Sequence, residues 1–112
     1  MTQSAQTPVD MLESVLVDDV DTTEVVPGII RRRLPDGAVW ARVYDMAPGA
    51  RWPVVDHHQA DEHIYVVRGE LLEGGDRYPA GSYLHYRPGS HHQPGTETGV
   101  RILVLGPITN ND

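Results

Sequence analysis

The sequence predicts an all-β fold, either a sandwich of two packed sheets or a barrel. Two observations support this prediction. Short runs rich in β-branched and aromatic residues are separated at close intervals by turn segments such as Pro35-Asp36-Gly37. Within residues 38–44 the side chains alternate, so that Trp40, Arg42 and Tyr44 share one face and small aliphatic residues share the other. Strands with two partly apolar faces suit two packed layers.

The elements follow in order along the chain. Residues 1–10 are rich in threonine, glutamine and serine and predict a loose N-terminal arm. Residues 11–17 are compatible with either a helical turn or a first strand, and the pattern does not decide between them. At 112 residues the chain predicts one domain, residues 1–112, with a single core. Strands are predicted over residues 24–26, 28–33, 38–46, 51–57, 63–68, 83–87 and 100–105.

Composition narrows the chemistry. The chain has no cysteine, which excludes disulfides, thiolate metal sites, iron–sulfur clusters and cysteine nucleophiles. A formal net charge of -7 argues against nucleic acid as a partner. The run Arg31-Arg32-Arg33 is interpreted as a solvated strand edge. Because the sequence has neither a long apolar run nor a secretory pattern at its start, it predicts no membrane span and a cytoplasmic location.

All 6 histidines lie between His57 and His92, which confines the candidate chemistry to the middle of the chain. In a strand, Asp56 and His58 project to one side and His57 projects to the other. Glu62 begins the next run and lies on its apolar, inward face. Imidazole and carboxylate groups that converge in this way, with His92 joining from a distant hairpin, predict a site for a divalent transition metal.

These two segments resemble the two motifs of the cupin superfamily, the RmlC-like jelly rolls. In the first motif His58, Glu62 and Gly69 are in register, and Asp56 replaces the usual first histidine. In the second motif the matching positions are Gly81, Gly89 and His92, with Arg87 where proline is usual. The segment is most similar to the cupin domain of ChrR-type anti-sigma factors. The resemblance implies a double-stranded β-helix, that is, a cupin jelly-roll barrel with a metal inside.

The resemblance also implies a ligand set. His58, Glu62 and His92 are the expected metal ligands, and Asp56 stands where the fourth belongs. His57 is the alternative fourth ligand if the strand contains a one-residue bulge. Whichever of Asp56 and His57 stays unligated is the candidate catalytic proton carrier. Two imidazoles with one or two carboxylates suit iron, manganese, nickel or zinc and leave coordination positions open.

The expected function is that of a metal-dependent enzyme acting on a small organic molecule. The candidate reactions are those of a dioxygenase, or of a metal-promoted isomerase, cyclase or lyase. Tyr83 and Arg87 are the candidate substrate contacts, because an aromatic side chain and a cation near a barrel mouth suit an organic ligand. The alternative is a noncatalytic metal-binding or ligand-binding sensor module of ChrR-like type. Strands that are apolar on two faces predict a homodimer.

Overall fold

The computed structural model describes residues 11–108 of the chain. A short 3-10 helix, Val17–Asp19, precedes the first strand, and residues 12–16 are irregular, so neither option for this segment holds over its length. The predicted loose arm, residues 1–10, lies outside the described residues. The strands within residues 11–108 are β1 (Thr22–Val26), β2 (Ile29–Arg33), β3 (Val39–Met46), β4 (Asp56–His57), β5 (Glu62–Glu73), β6 (Asp76–Pro79), β7 (Tyr83–Tyr86), β8 (His91–His92) and β9 (Val100–Pro107).

The strands form two antiparallel sheets. The larger sheet has the order β1-β2-β3-β9-β5-β6, and β7 pairs with the first residues of β5. The smaller sheet consists of β4 and β8. Isolated bridges from Gly95 to Arg51 and to Leu72 extend the pairing beyond the named strands. The predicted all-β class is confirmed. Among the residues described, no helix is both long enough and apolar enough to cross a bilayer.

β3 pairs with β9 along its whole length and defines the inside of the fold. Its alternation matches the prediction, because Trp40, Arg42 and Tyr44 all face an interior cavity. Gly106 is the β9 partner of Trp40, and a Cβ atom at that glycine would lie 2.4 Å from an atom of the indole ring. The glycine therefore leaves the space that the Trp40 ring occupies in the cavity wall.

The core is formed by apolar side chains from β2, β3, β5 and β9. Burial of each aliphatic side chain stabilises the fold by about 1.5–3 kcal/mol. Several of these side chains also form the wall of the cavity, so the core and the cavity share one apolar layer. The core residues are Ile29, Tyr44, Met46, Ile64, Val66, Leu71, Val100, Ile102 and Val104.

β5 is longer than the sequence predicts and changes its inward parity partway along. Its register with β9 shifts by one residue between Val66 and Arg68. Before the shift Ile64 is buried, and after it Leu71 is buried, although the two positions differ in parity. The prediction that this strand ends at Arg68 was wrong, because β5 continues to Glu73 and pairs there with β6. This continuation brings Glu73 to the inside of the fold.

An ion-pair network ties the N-terminal segment to the outer face of the larger sheet. The Arg101 guanidinium is buried and donates hydrogen bonds to Asp45 at 2.7 and 2.9 Å and to Asp18 at 2.7 Å. Arg32 also donates to Asp45. Burial alone would raise the pKa of the Asp45 carboxyl, but its contacts with Arg101 and then Arg32 outweigh burial and hold that pKa below its usual range. The network is therefore strongest with Asp45 ionised.

Candidate metal centre

The pairing of β4 with β8 places the candidate ligands on one face. Asp56 is opposite His92, and His57 is opposite His91. The pairing continues past β4, because the backbone N–H of His58 donates to the Ser90 carbonyl at 2.9 Å. No bulge interrupts this segment, so Asp56, His58 and His92 share a face and His57 lies on the other. The partner strand of β4 is therefore β8.

Glu62, at the start of β5, completes a cluster of four side chains with Asp56, His58 and His92. One ligand atom from each of the four lies within 4.8 Å of the others. Nδ1 of His58 is 2.8 Å from Oε2 of Glu62. Nε2 of His92 is 3.5 Å from Oε2 of Glu62 and 3.5 Å from Oδ2 of Asp56. Residues from β4, β5 and β8 thus converge on one point.

The donor set fits a divalent transition metal. Ligand atoms bound at about 2.0–2.2 Å to one ion lie about 3–3.5 Å from each other, which is close to the separations in this cluster. Oε2 of Glu62 is buried and its nearest polar neighbours are the ring nitrogens of His58 and His92. A buried carboxylate is costly unless it is paired with a positive charge, and a bound cation would supply that pairing. Two imidazoles and two carboxylates also neutralise a divalent charge.

The cluster is buried on three sides and more open at the fourth. The exposed fraction of the side chain is 6% for His58, 12% for Glu62 and 4% for His92, whereas it is 43% for Asp56. Burial alone would lower the pKa of His92, but the carboxylates of Glu62 and then Glu73 outweigh burial and raise the pKa to about 9. In the metal-free protein at neutral pH His92 is therefore protonated, and its positive charge lies among the surrounding carboxylates.

Sequence reasoning missed two residues behind the cluster, Glu73 and Tyr86. Oε1 of Glu73 lies 3.4 Å from Nδ1 of His92, the ring nitrogen that faces away from Asp56 and Glu62. The Tyr86 ring packs against His58 and His92, with centroid distances of 5.2 and 4.3 Å. Burial and then the nearby Glu73 raise the pKa of the Tyr86 hydroxyl, so this hydroxyl stays protonated. The signal that could have found Tyr86 is its parity in β7, opposite Glu62.

The cluster lies at the wall of a cavity of about 630 Å³. Apolar and aromatic side chains form most of the rest of the wall, including Trp40, Tyr44 and Trp52. The rings of Tyr44 and Trp52 meet edge to face, with centroids 5.3 Å apart. Two cations, Arg31 and Arg42, line the same cavity. A cavity of this size and lining matches a small-molecule site.

Three predicted site residues lie outside the ligand cluster. His57 is exposed and lines the cavity, but regular strand alternation turns it away from the cluster, and its ring is 5.7 Å from that of His91. Tyr83 is 65% exposed and hydrogen bonds to His63 on the outer face of the larger sheet. Arg87 is exposed and follows β7. Neither Tyr83 nor Arg87 lines the cavity, and their contact with a substrate stays a prediction.

Comparison with known proteins identifies the architecture. The family model described as the ChrR cupin-like domain matches residues 12–108. No curated protein matches the sequence significantly. An acetylacetone dioxygenase from Acinetobacter johnsonii superposes with a TM-score of 0.76 at 14% identity, over 98% of this chain and 87% of that one. The polyketide cyclase RemF from Streptomyces resistomycificus gives a TM-score of 0.72 at 25% identity, over 87% and 80% of the two chains.

A third similar structure is that of Rhodobacter sphaeroides SigE in complex with the anti-sigma ChrR. It gives a TM-score of 0.73 at 23% identity and covers 81% of this chain and 51% of that one. These likenesses at low identity establish the fold, and the predicted cupin jelly roll is confirmed.

Proposed function

The chain belongs to the ChrR cupin-like family, and on that premise we propose that it is a metal-dependent enzyme acting on a small organic molecule. The observation that carries the proposal is the place of the four-residue cluster, at the wall of a partly apolar cavity large enough for a small substrate. A closed metal site only stabilises a fold, whereas a site that opens into a cavity can receive a substrate atom. The more exposed side of the cluster, at Asp56, provides that opening.

The residues of the cluster have separable roles. His58, Glu62 and His92, with Asp56 as the fourth ligand, would hold iron, manganese, nickel or zinc. When bound, such an ion supplies Lewis-acid polarisation of a coordinated oxygen, and iron also supplies redox chemistry. Glu73 orients the His92 ring. Asp56 would bind the ion through one carboxylate oxygen, and we assign proton transfer to its other oxygen, because this side chain is the most exposed of the four to an incoming molecule.

The walls of the cavity would orient the substrate. Trp40 and Trp52 provide flat apolar surfaces against which its body can pack. His57 also lines the cavity, but it lies outside the ligand cluster and beside His91, so we assign proton transfer to Asp56.

Two reaction classes are candidates for this site. Dioxygenase chemistry is supported by the likeness to the acetylacetone dioxygenase, and metal-promoted cyclisation, isomerisation or lyase chemistry by the likeness to the polyketide cyclase. Oxygen uptake by the metal-loaded protein with β-diketones, catechols and 2-keto acids separates them, because only the first class consumes oxygen. Mass spectrometry of the products identifies a reaction that proceeds without oxygen.

The metal site itself is tested by matched histidine variants. We expect H58A and H92A to lose bound transition metal, measured by elemental mass spectrometry of the purified protein, together with any turnover. The variants H57A and H91A remove the same groups from the exposed pair on the other face of β4 and β8, and we expect them to keep the bound metal. A natively folded protein that takes up no transition metal would overturn the proposal.

A second candidate function is a noncatalytic sensor. It is favoured by the family match and by the likeness to the anti-sigma ChrR. A sensor would bind a ligand in the same cavity, leave it unchanged and release a protein partner. Co-purification of a stable partner that dissociates when a ligand is added, without turnover of that ligand, would favour this function over the enzymatic one.

We also propose that two copies of the chain associate through the outer face of the larger sheet. Tyr65, Val67 and Tyr83 are 44%, 43% and 65% exposed on that face. Apolar side chains that lie together on an open sheet face are typical of an interface. Sedimentation velocity tests this, with a dimer expected for the wild type and a shift towards monomer for Y83D. A wild-type protein that stays monomeric at high concentration would contradict the dimer.

A further inference from the structure

Two arginines enter the cavity from neighbouring strands. Arg31 of β2 and Arg42 of β3 both line it. Arg31 is paired directly with Tyr44, and Arg42 lies two residues before Tyr44 on the same face. Diagonal neighbours of this kind have Cα atoms about 7–8 Å apart, which is within reach of long side chains. The two guanidinium groups can therefore meet at a single ligand group.

Neither arginine has an anionic partner within the described part of the chain. Arg32, Arg68, Arg77 and Arg101 each form ion pairs with carboxylates, whereas among residues 11–108 no carboxylate oxygen lies within 4.0 Å of Arg31 or Arg42. Nε of Arg31 is buried and makes no hydrogen bond. A buried charged donor without an acceptor is costly. An anion that accepts its hydrogen bond would remove this cost, and the removal would favour binding of the anion.

Contact with Trp40 fixes the orientation of Arg42. The guanidinium carbon lies 4.6 Å from the centroid of the Trp40 ring, over its face. In this arrangement the flat surface of the guanidinium is used by the indole, and its edge N–H groups remain for another acceptor. A planar carboxylate matches the fork of these donors.

The distance between the arginines and the metal-ligand cluster is about the length of a small organic molecule. Val104 of β9 pairs with Arg42 on one side and with Ile64 on the other. The backbones of Arg42 and Ile64 are therefore two strand spacings apart, about 10 Å. Ile64 is two residues from Glu62, on the same face of β5. A small molecule with an anionic group at one end spans this distance.

We propose that the cavity takes a small organic carboxylate, whose anionic group is held by Arg31 and Arg42 and whose apolar body lies against Tyr44 and Trp52. The opposite end of the ligand faces the cluster of Asp56, His58, Glu62 and His92. This inference deepens the proposed function, on which it rests, by naming the substrate class. The formal net charge of -7 repels anions from the protein as a whole, so a preference for an acid must arise locally.

The test compares an acid with its neutral analogue on the full-length, metal-loaded protein. Naphthalene-1-acetate and naphthalene-1-acetamide have nearly the same shape and differ in charge. Ligand-observed NMR titrations at matched ionic strength measure both dissociation constants. We expect the acid to bind about tenfold more tightly than the amide, as a charge-assisted pair predicts. In R31Q and R42Q we expect this ratio to fall to about one or two.

R33Q is the matched control. Arg33 is exposed on the same strand as Arg31 and does not line the cavity, so its removal changes the net charge equally. We expect R33Q to keep the wild-type ratio of acid to amide affinity. R42K keeps the positive charge, so its ratio should lie closer to the wild-type value than that of R42Q. Circular dichroism and metal content are measured on every variant. R42K provides the comparison if R42Q fails to fold.

Three results would overturn the inference. The first is equal binding of acid and amide by the wild type. The second is an acid preference that survives in both R31Q and R42Q, because the carboxylate then binds the metal instead. The third is a fall of the acid-to-amide ratio in R33Q as large as that in R42Q. The test of the anion site can be distinguished from the test of the metal-dependent enzyme. A protein that holds no metal, yet shows an acid preference that depends on Arg31 and Arg42, would reject the metal enzyme and retain the anion site.

Discussion

Nδ1 of His92 lies 3.4 Å from Oε1 of Glu73, while Nε2 of the same ring faces Asp56 and Glu62. The Glu73 side chain is only 14% exposed. A carboxylate at Nδ1 holds the proton of a neutral imidazole on that nitrogen and leaves the lone pair of Nε2 free for a metal. Glu73 is therefore a positioning residue for the cluster, supplied by the far end of β5.

We expect E73Q to weaken metal binding by about 10–100-fold, because the amide is a poorer acceptor and fixes the His92 ring less firmly. Competition with a metal-sensitive dye measures the change. E70Q is the control, since Glu70 lies on the same strand and pairs with the exposed Arg77 away from the site. Equal affinities of E73Q and wild type would show that Glu73 does not orient His92.

The identity of the fourth ligand gives a second prediction. We expect D56N to lower metal affinity by about tenfold or more, because a neutral amide coordinates a divalent cation less well than a carboxylate does. H57Q changes the adjacent residue, which points to the other face, and we expect it to leave affinity unchanged. The opposite ranking would mean that this segment shifts by one residue when a metal binds.

Regular alternation made much of this site predictable. Asp56 and His58 lie on one face and His57 on the other because β4 pairs with β8 without a bulge. Glu73 was not predictable in this way, since the register of β5 shifts after Val66 and inverts the parity of the residues that follow. The pairing of β4 with β8 was not predictable either, because each strand is only two residues long and such a short segment shows no pattern of its own.

The arginine triplet shows a second limit of sequence reasoning. It was interpreted as a solvated edge, yet its members have different environments. Arg32 pairs with Asp45 on the outer face, Arg31 lines the cavity, and Arg33 is exposed. A run of like residues in a strand necessarily divides between two faces, and only the packing of the neighbouring sheet decides which face is buried.

Removal of the Asp45 carboxylate is expected to destabilise the fold in a pH-dependent way. The pKa of Asp45 is lowered in the folded protein, so its contribution is present above the unfolded value of 3.8 and is lost as the pH falls through the lower folded value. At pH 7 we expect D45N to lose about 2 kcal/mol of unfolding free energy, because Arg101 and Arg32 lose a charged acceptor.

Urea denaturation between pH 7 and pH 2 checks this prediction. The difference between wild type and D45N should narrow below pH 3.8. D36N, in the turn after β2, removes a carboxylate that forms no ion pair within residues 11–108, and we expect it to change stability little. A difference for D45N that stays constant down to pH 2 would show that the network contributes through packing and not through charge.

The last prediction concerns Gly69, the glycine that ends the first motif. Its φ is 79°, and a Cβ atom there would lie 2.1 Å from the Gly99 carbonyl oxygen and 2.8 Å from Cα of Val100. Both obstacles are backbone atoms of the neighbouring chain segment, so no side-chain rotation relieves the clash. We expect G69A to cost at least about 3 kcal/mol of unfolding free energy, through strain and separation of β5 from β9.

G81A provides the comparison for the steric part of that cost. Gly81 has a similar φ of 93°, but nothing lies within 4 Å of a Cβ placed there. Its alanine variant should therefore show only the backbone cost, about 1 kcal/mol. Thermal and urea unfolding of both variants measure the difference. If G69A and G81A lose the same unfolding free energy, position 69 requires glycine only for its backbone conformation. The close approach of Gly99 would then add no cost.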